Sequence, residues 1–102
     1  MIHVVAVIKA KTGKRNAILS AAENNLASVL AESGCIEYSL VFDADFGAFQ
    51  TELGPDTFLV IEKWRDAAAL KAHTSAPHMV SYSQKTKDWI ESRVIHVLKS
   101  TT

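Results

Sequence analysis

"IHVVAVIK", residues 2–9, is the stretch on which the fold turns. Its β-branched residues read as a strand. In a strand, side chains alternate between faces, so Ile2, Val4, Ala6 and Ile8 share one side while Val5 and Val7 share the other. A half-solvated strand would carry polar residues on one of those sides. This one is apolar on both, which predicts a central strand covered on each face.

Moving outward, "KTGK" reads as a turn and "KRNAILSAAENNLASVLAES" as a helix. In that helix Ile18, Leu19, Ala22, Leu26, Val29 and Leu30 recur at helical spacing. Gly34 falls where a helix ends in a positive φ. "CIEYSLVF" predicts a second strand with Ile36, Tyr38, Leu40 and Phe42 on one face. "DADFGAFQTELGPD" is a long connection, and Phe46 and Phe49 make it unusually apolar, suited to packing on a pocket mouth or a second subunit. "TFLVIEKW" predicts a third strand, with Phe58, Val60, Glu62 and Trp64 on one side. Asp66 is placed to cap the helix "AAALKAH". Pro77 can open the next helix, which is predicted from His78 to Ser92 with Met79, Tyr82, Thr86, Trp89 and Ile90 along one stripe. "VIHVLK" closes the chain as a fourth strand.

The order β-α-β-β-α-α-β over residues 1–102 predicts a single α+β domain, a ferredoxin-like sandwich of four antiparallel strands with helices on one face. The first strand is central in that topology, and one sheet face carries no helix. Its apolar residues then call for a cover, and a second copy of the chain is the simplest one. A homodimer packed sheet to sheet is the expectation.

Composition narrows the partners. The 102 residues are 48% hydrophobic, with 11 basic and 11 acidic residues and no basic block, which disfavours nucleic acid or an anionic membrane. The apolar run Ile2–Ile8 is too short to span a bilayer. Cys35 is the sole cysteine, which excludes internal disulfides and multi-thiolate metal sites. A cytoplasmic protein is expected. No Gly-rich phosphate loop and no G-x-S-x-G elbow is present.

The chemical candidates cluster in "EKWRDAAALKAHTSAPHM", residues 62–79. His73 ends a helix, where an imidazolium is favourable, yet it also suits proton transfer. His78 sits in a first helical turn, where a neutral ring is preferred and capping or packing accounts for it as well as catalysis does. The two histidines are five apart with Pro77 between them, which argues against a zinc pair, and no metal is expected. Trp64 reads as a core or interface aromatic. Glu62 lies either at a wet sheet end or in a pocket, where its pKa would be raised or a cation would face it. His3 and His96 lie on strands that neighbour each other in this topology.

The stretches "VVAVIKAKTGK", "ESGCIEYSLVFD" and "FLVIEKWRDAAALKAHTSAPHM" together resemble the antibiotic biosynthesis monooxygenase family, a quinol monooxygenase-like branch of the dimeric α/β-barrel group. The resemblance is carried by Gly34, Cys35, Tyr38, Glu62, Trp64, Asp66, Ala69, Leu70 and His73. It implies oxygenation of a small phenol or quinol by dioxygen with no flavin, haem or metal cofactor. In that scheme His73 is base or proton relay, Trp64 a wall or donor, and Tyr38 or Tyr82 a donor. Phe58, Val60, Glu62, His78, Met79 and Tyr82 are then the candidates to surround the substrate.

Two sister activities compete with that one. Haem-degrading relatives carry an Asn-Trp-His set whose positions fall on Ala6, His73 and Ser83 here, a mismatch that argues against that activity. Relatives acting on phosphorylated autoinducer-2 share a run similar to "HTSAPH", His73–His78, which allows an isomerase-like activity, with Lys63, Arg65 and Lys71 as the nearby cations. A non-catalytic small-molecule-binding dimer is the third reading.

Overall fold

The computed structural model describes all 102 residues. The elements run β1 (Ile2–Ala10), α1 (Arg15–Leu30), β2 (Cys35–Val41), β3 (Thr57–Trp64), α2 (Ala67–Ser75), α3 (Pro77–Thr86), a 3₁₀ turn (Lys87–Trp89) and β4 (Ile90–Leu98). The four strands form one antiparallel sheet in the order β2-β3-β1-β4. This is the ferredoxin-like arrangement, with β1 central as its two apolar faces require.

Alternation sorts the core. Val4, Ala6, Ile8 and Ala10 of β1, and Phe58, Val60, Glu62 and Trp64 of β3, are all buried on the helix-bearing face. Ile18, Leu19, Ala22 and Val29 of α1 are buried with them, as their spacing predicts. Leu30, placed on the same stripe by periodicity, is exposed at the C-terminal end of the helix. The other sheet face holds Val5, Val7, Leu59 and Ile61, each half-buried because nothing in this chain lies over it.

Two elements depart from the sequence reading. The last helix stops at Thr86 instead of reaching Ser92. Thr86 is buried, and its hydroxyl donates back to the Tyr82 carbonyl at 2.9 Å, a bond that weakens helix continuation. The Lys11 amide then donates to the Trp89 carbonyl at 2.8 Å, and β4 pairs with β1 from Ile90 onward. Closing the free edge of β1 outweighs the helical stripe. In β2, the register shifts between Cys35 and Glu37, so Ile36 leaves the face shared by Tyr38 and Leu40 and turns outward.

The turn between α1 and β2 sets how closely α2 can dock. Gly34 has φ +83°, and a Cβ there would meet the Ala69 Cβ at 2.6 Å. Its carbonyl accepts from the Arg65 amide at 2.8 Å, pinning the end of β3 to the turn. Asp66 then caps α2 as predicted, accepting from the Ala69 amide at 2.8 Å. Gly34→Ala combines left-handed strain with a clash in the α2 contact, so it should destabilise the fold by about 2–4 kcal/mol in urea titration.

Candidate functional site

The helix-bearing face of the sheet does not fill completely. A cavity of about 420 Å³ lies between β1, β3 and β4 on one side and α2 and α3 on the other. Of its 18 lining residues 12 are hydrophobic, which suits a small, largely apolar ligand. Val4, Ala6, Ile8 and Val60 form the floor, and Leu70, Met79, Val80 and Tyr82 come from the helices. Ile90, Ile95 and Val97 form the β4 wall. Ile95 and Val97 remain 53% and 56% exposed, so this wall is where the chamber opens.

The polar groups gather at one end. His73 is buried, its ring 4.6 Å from the Trp64 ring and 5.6 Å from that of Tyr38, centroid to centroid. Its Nδ1 lies 2.8 Å from Oε2 of Glu32, and Nε2 of His78 lies 2.9 Å from that same oxygen. An ionised carboxylate only accepts, so each ring donates to it. This places a proton on Nδ1 of His73, so that in the neutral ring the lone pair is on Nε2, on a residue that lines the cavity. Beside it, Oε1 of Glu62 accepts from the Trp64 indole N–H at 2.9 Å.

Burial shapes the acidities. Glu62 is raised from its ordinary range chiefly by desolvation, with Glu32 adding to the rise, while the Trp64 hydrogen bond and, when it is protonated, the His73 ring oppose it. Tyr38 is raised above its ordinary value by burial and then by Glu62, which keeps its phenol a donor at every working pH. Tyr82 is raised by burial, with Arg93 pulling the other way. The Cys35 thiol, opposite Trp64 in the sheet, is raised by burial and by Glu32 and Glu62.

Of the residues singled out by sequence, Tyr38, Val60, Glu62, His73, Met79 and Tyr82 line the cavity. Phe58 does not, since it is wholly buried in the core against Ile18 and Leu19. Trp64 is likewise fully buried beneath His73, so it supports the imidazole and Glu62 from behind instead of walling the chamber. His78 faces a smaller surface cleft with Asn24, Asn25 and Lys85, and reaches the site only through Glu32. Lys63 pairs with Glu37 at 3.4 Å and Arg65 with Asp66 at 3.2 Å, and neither they nor Lys71 line the cavity. The cation that does is Arg93.

The helix breaks between the two histidines at Pro77, as expected, yet the break does not separate their rings. The extended Ala76 and the helix start at Pro77 turn the chain so that both rings meet one carboxylate. Glu32 and Arg93 were not singled out by sequence. Glu32 had one available signal, its place two residues before the glycine that α2 packs on. Arg93 had none, because it fell between the predicted end of the last helix at Ser92 and the predicted start of the fourth strand at Val94.

Comparison with known proteins agrees with this fold. Residues 1–85 match the family model described as antibiotic biosynthesis monooxygenase. The chain belongs to that family. Among antibiotic biosynthesis monooxygenase relatives, the Escherichia coli (strain K12) protein named "Probable quinol monooxygenase YgiN" is 33% identical over 101 residues, covering 97% of each chain. The crystal structure of PA3566 from Pseudomonas aeruginosa superposes with a TM-score of 0.83 at 27% identity, over 99% of this chain and 94% of that one. Rv0793 from Mycobacterium tuberculosis, at 22% identity, shares the fold with a TM-score of 0.82 over 99% and 95% of the two chains. A monooxygenase-family function for this chain follows.

The raised Glu62 gives a pH test. Below the ordinary value of 4.5, both folded and unfolded chains hold the proton. As pH rises past that value the unfolded chain ionises first, so the native state holds the extra proton and stability falls across the window up to the raised pKa. Glu62→Gln keeps an acceptor for Trp64 and removes this titration. The difference in thermal midpoint between variant and wild type should therefore grow in favour of the variant from pH 4.5 upward, as followed by melting in a pH series.

Proposed function

We propose that the chain oxidises a small electron-rich aromatic compound, of the phenol or quinol class, with dioxygen and without a cofactor. The observation that carries this reading is the 2.8 Å contact of His73 Nδ1 with Glu32, which orients a buried imidazole lining an apolar chamber and frees its Nε2 for the substrate. A neutral imidazole held in one tautomer is a base of suitable strength near neutrality. The name of the Escherichia coli relative points to the same substrate class.

The chemistry balances without an added reductant. A quinol plus dioxygen gives a hydroxyquinone plus water, all four electrons coming from the substrate. His73 Nε2 takes a phenolic proton, and the resulting phenolate transfers one electron to dioxygen. The phenoxyl radical and superoxide join at a ring carbon to give a peroxide. Loss of the ring hydrogen breaks the O–O bond, leaving one oxygen as carbonyl while the other departs as water with a proton returned by His73. The Tyr38 phenol donates to the oxyanion as it forms, and the apolar walls keep bulk water from the radical pair.

A second copy of the chain completes this reading. Val5, Val7, Leu59 and Ile61 are half-covered on the open sheet face, and β4 is exposed along its length. Pairing these faces between two copies would bury the apolar stripe and steady the β4 wall of each chamber. A phosphorylated carbonyl substrate is less well matched, because Glu62 faces the same space as the one lining cation, Arg93.

An oxygen electrode with a panel of reduced quinols and naphthols tests the proposal. Wild-type protein should consume one dioxygen per quinol and yield the hydroxyquinone. His73→Ala should lower kcat by about 10²–10⁴, the usual contribution of a positioned base. Glu32→Gln should lower it less, because it changes only the group that orients the ring. Wild-type turnover in the His73 variant would remove the proposed base.

A further inference from the structure

The Glu32 node has a second capacity that its role in orienting His73 does not use. Three side chains from three segments, the turn after α1, α2 and α3, bring one ligand atom each to a common point. Glu32 Oε2, His73 Nδ1 and His78 Nε2 all lie within 4.8 Å of one another. Both N–H bonds aim at one oxygen, so in the opposite tautomer both lone pairs converge on the same place. The side chains are 12%, 6% and 25% exposed, a pocketed set whose outermost member gives an ion its way in from the cleft beside α3.

We infer that Glu32, His73 and His78 form a binding site for a divalent transition-metal ion of the Zn²⁺ class, and that filling it turns His73 from proton acceptor to donor. Two imidazoles and a carboxylate suit Zn²⁺, Co²⁺ or Ni²⁺, whereas Mg²⁺ and Ca²⁺ favour all-oxygen sets. Zn–N and Zn–O bonds near 2.0–2.2 Å place tetrahedral ligand atoms roughly 3.4 Å apart. The present 2.8 and 2.9 Å separations therefore widen by about half an ångström, and the two ring nitrogens, within 4.8 Å of each other, settle to that same spacing by small side-chain rotations. The fourth position is left for water from the cleft.

Proton accounting fixes the consequence. Each ring moves its proton to its other nitrogen, no proton leaves the site, and the carboxylate offsets one of the two positive charges. His73 then carries its hydrogen on Nε2, which donates and no longer accepts. Resting on the reading of His73 as base, the metal acts as an inhibitor that stops turnover without occupying the cavity.

Titration of the full-length protein with Co²⁺ tests the site independently of turnover. One equivalent should bind, with the visible d–d absorption of a nitrogen–oxygen centre, and Zn²⁺ should displace it. His78→Gln keeps an amide donor for Glu32, so the fold is retained, but it removes a good ligand. Its loss of affinity should exceed the roughly 10–100-fold typical of outer-shell changes. His3→Ala with His96→Ala, altering histidines on the other sheet face, should leave binding unchanged. In ¹⁵N spectra of the side chains, Zn²⁺ should move the His73 proton from Nδ1 to Nε2. Quinol-dependent oxygen uptake should fall with the same Zn²⁺ midpoint and return with EDTA.

Binding that survives His78→Gln, or that disappears with the His3 and His96 changes, would overturn the site. Zn²⁺ binding at Glu32 with His73 still protonated on Nδ1 would overturn the tautomer reversal. If no quinol is turned over at all, the Co²⁺ and ¹⁵N results still decide the metal site, and only the reading of His73 as base fails.

Discussion

One carboxylate oxygen, Oε2 of Glu32, ties the turn after α1 to both short helices. Charge-assisted hydrogen bonds of this kind are stronger than neutral ones, and here they join segments 41 and 46 residues apart. Without them α2 and α3 would rest on the sheet through few apolar residues, since only Ala69 and His73 of α2 and Thr86 of α3 are buried. The cavity exists because these helices are held by a polar knot at one end instead of by a filled interior. Stability and site are thus parts of one arrangement.

That arrangement depends in turn on backbone placement. Gly34 lets α2 come within contact of the turn, and this closeness is what puts Glu32 within reach of His73. Trp64 fills the space beneath, holding the imidazole from one side and Glu62 by its indole N–H from another. Tyr38 closes the third side. The imidazole is therefore constrained by packing and by hydrogen bonding together, which is how precise geometry at a site is normally secured. Few of these neighbours touch the chamber directly, but each limits where the ring can point.

The sequence was legible where one short-range rule decided the outcome. The two apolar faces of β1, the Asp66 cap, the Pro77 helix start and the positive φ at Gly34 all read correctly, because each is set by a residue and its immediate neighbours. The last helix was overrun for the opposite reason. Met79, Tyr82, Thr86, Trp89 and Ile90 keep a helical period, but the need of β1 for a partner on its open edge, a long-range demand, claimed Ile90 for the sheet. Site residues followed the same division. Tyr38, Glu62 and His73 stood out by type and position, whereas Glu32 becomes notable only once folding brings two distant rings to it. Phe58 and Trp64 were placed at the chamber because alternation gives the face a side chain occupies but not its depth beneath the helices.

The lone cysteine has an unusual neighbourhood for a protein of an oxygenase family. Peroxides attack the sulfur anion far faster than the neutral thiol. Around Cys35, desolvation and two nearby carboxylates all work against that anion. The same negative charge that receives the imidazole protons thus also keeps the sulfur in its neutral thiol form.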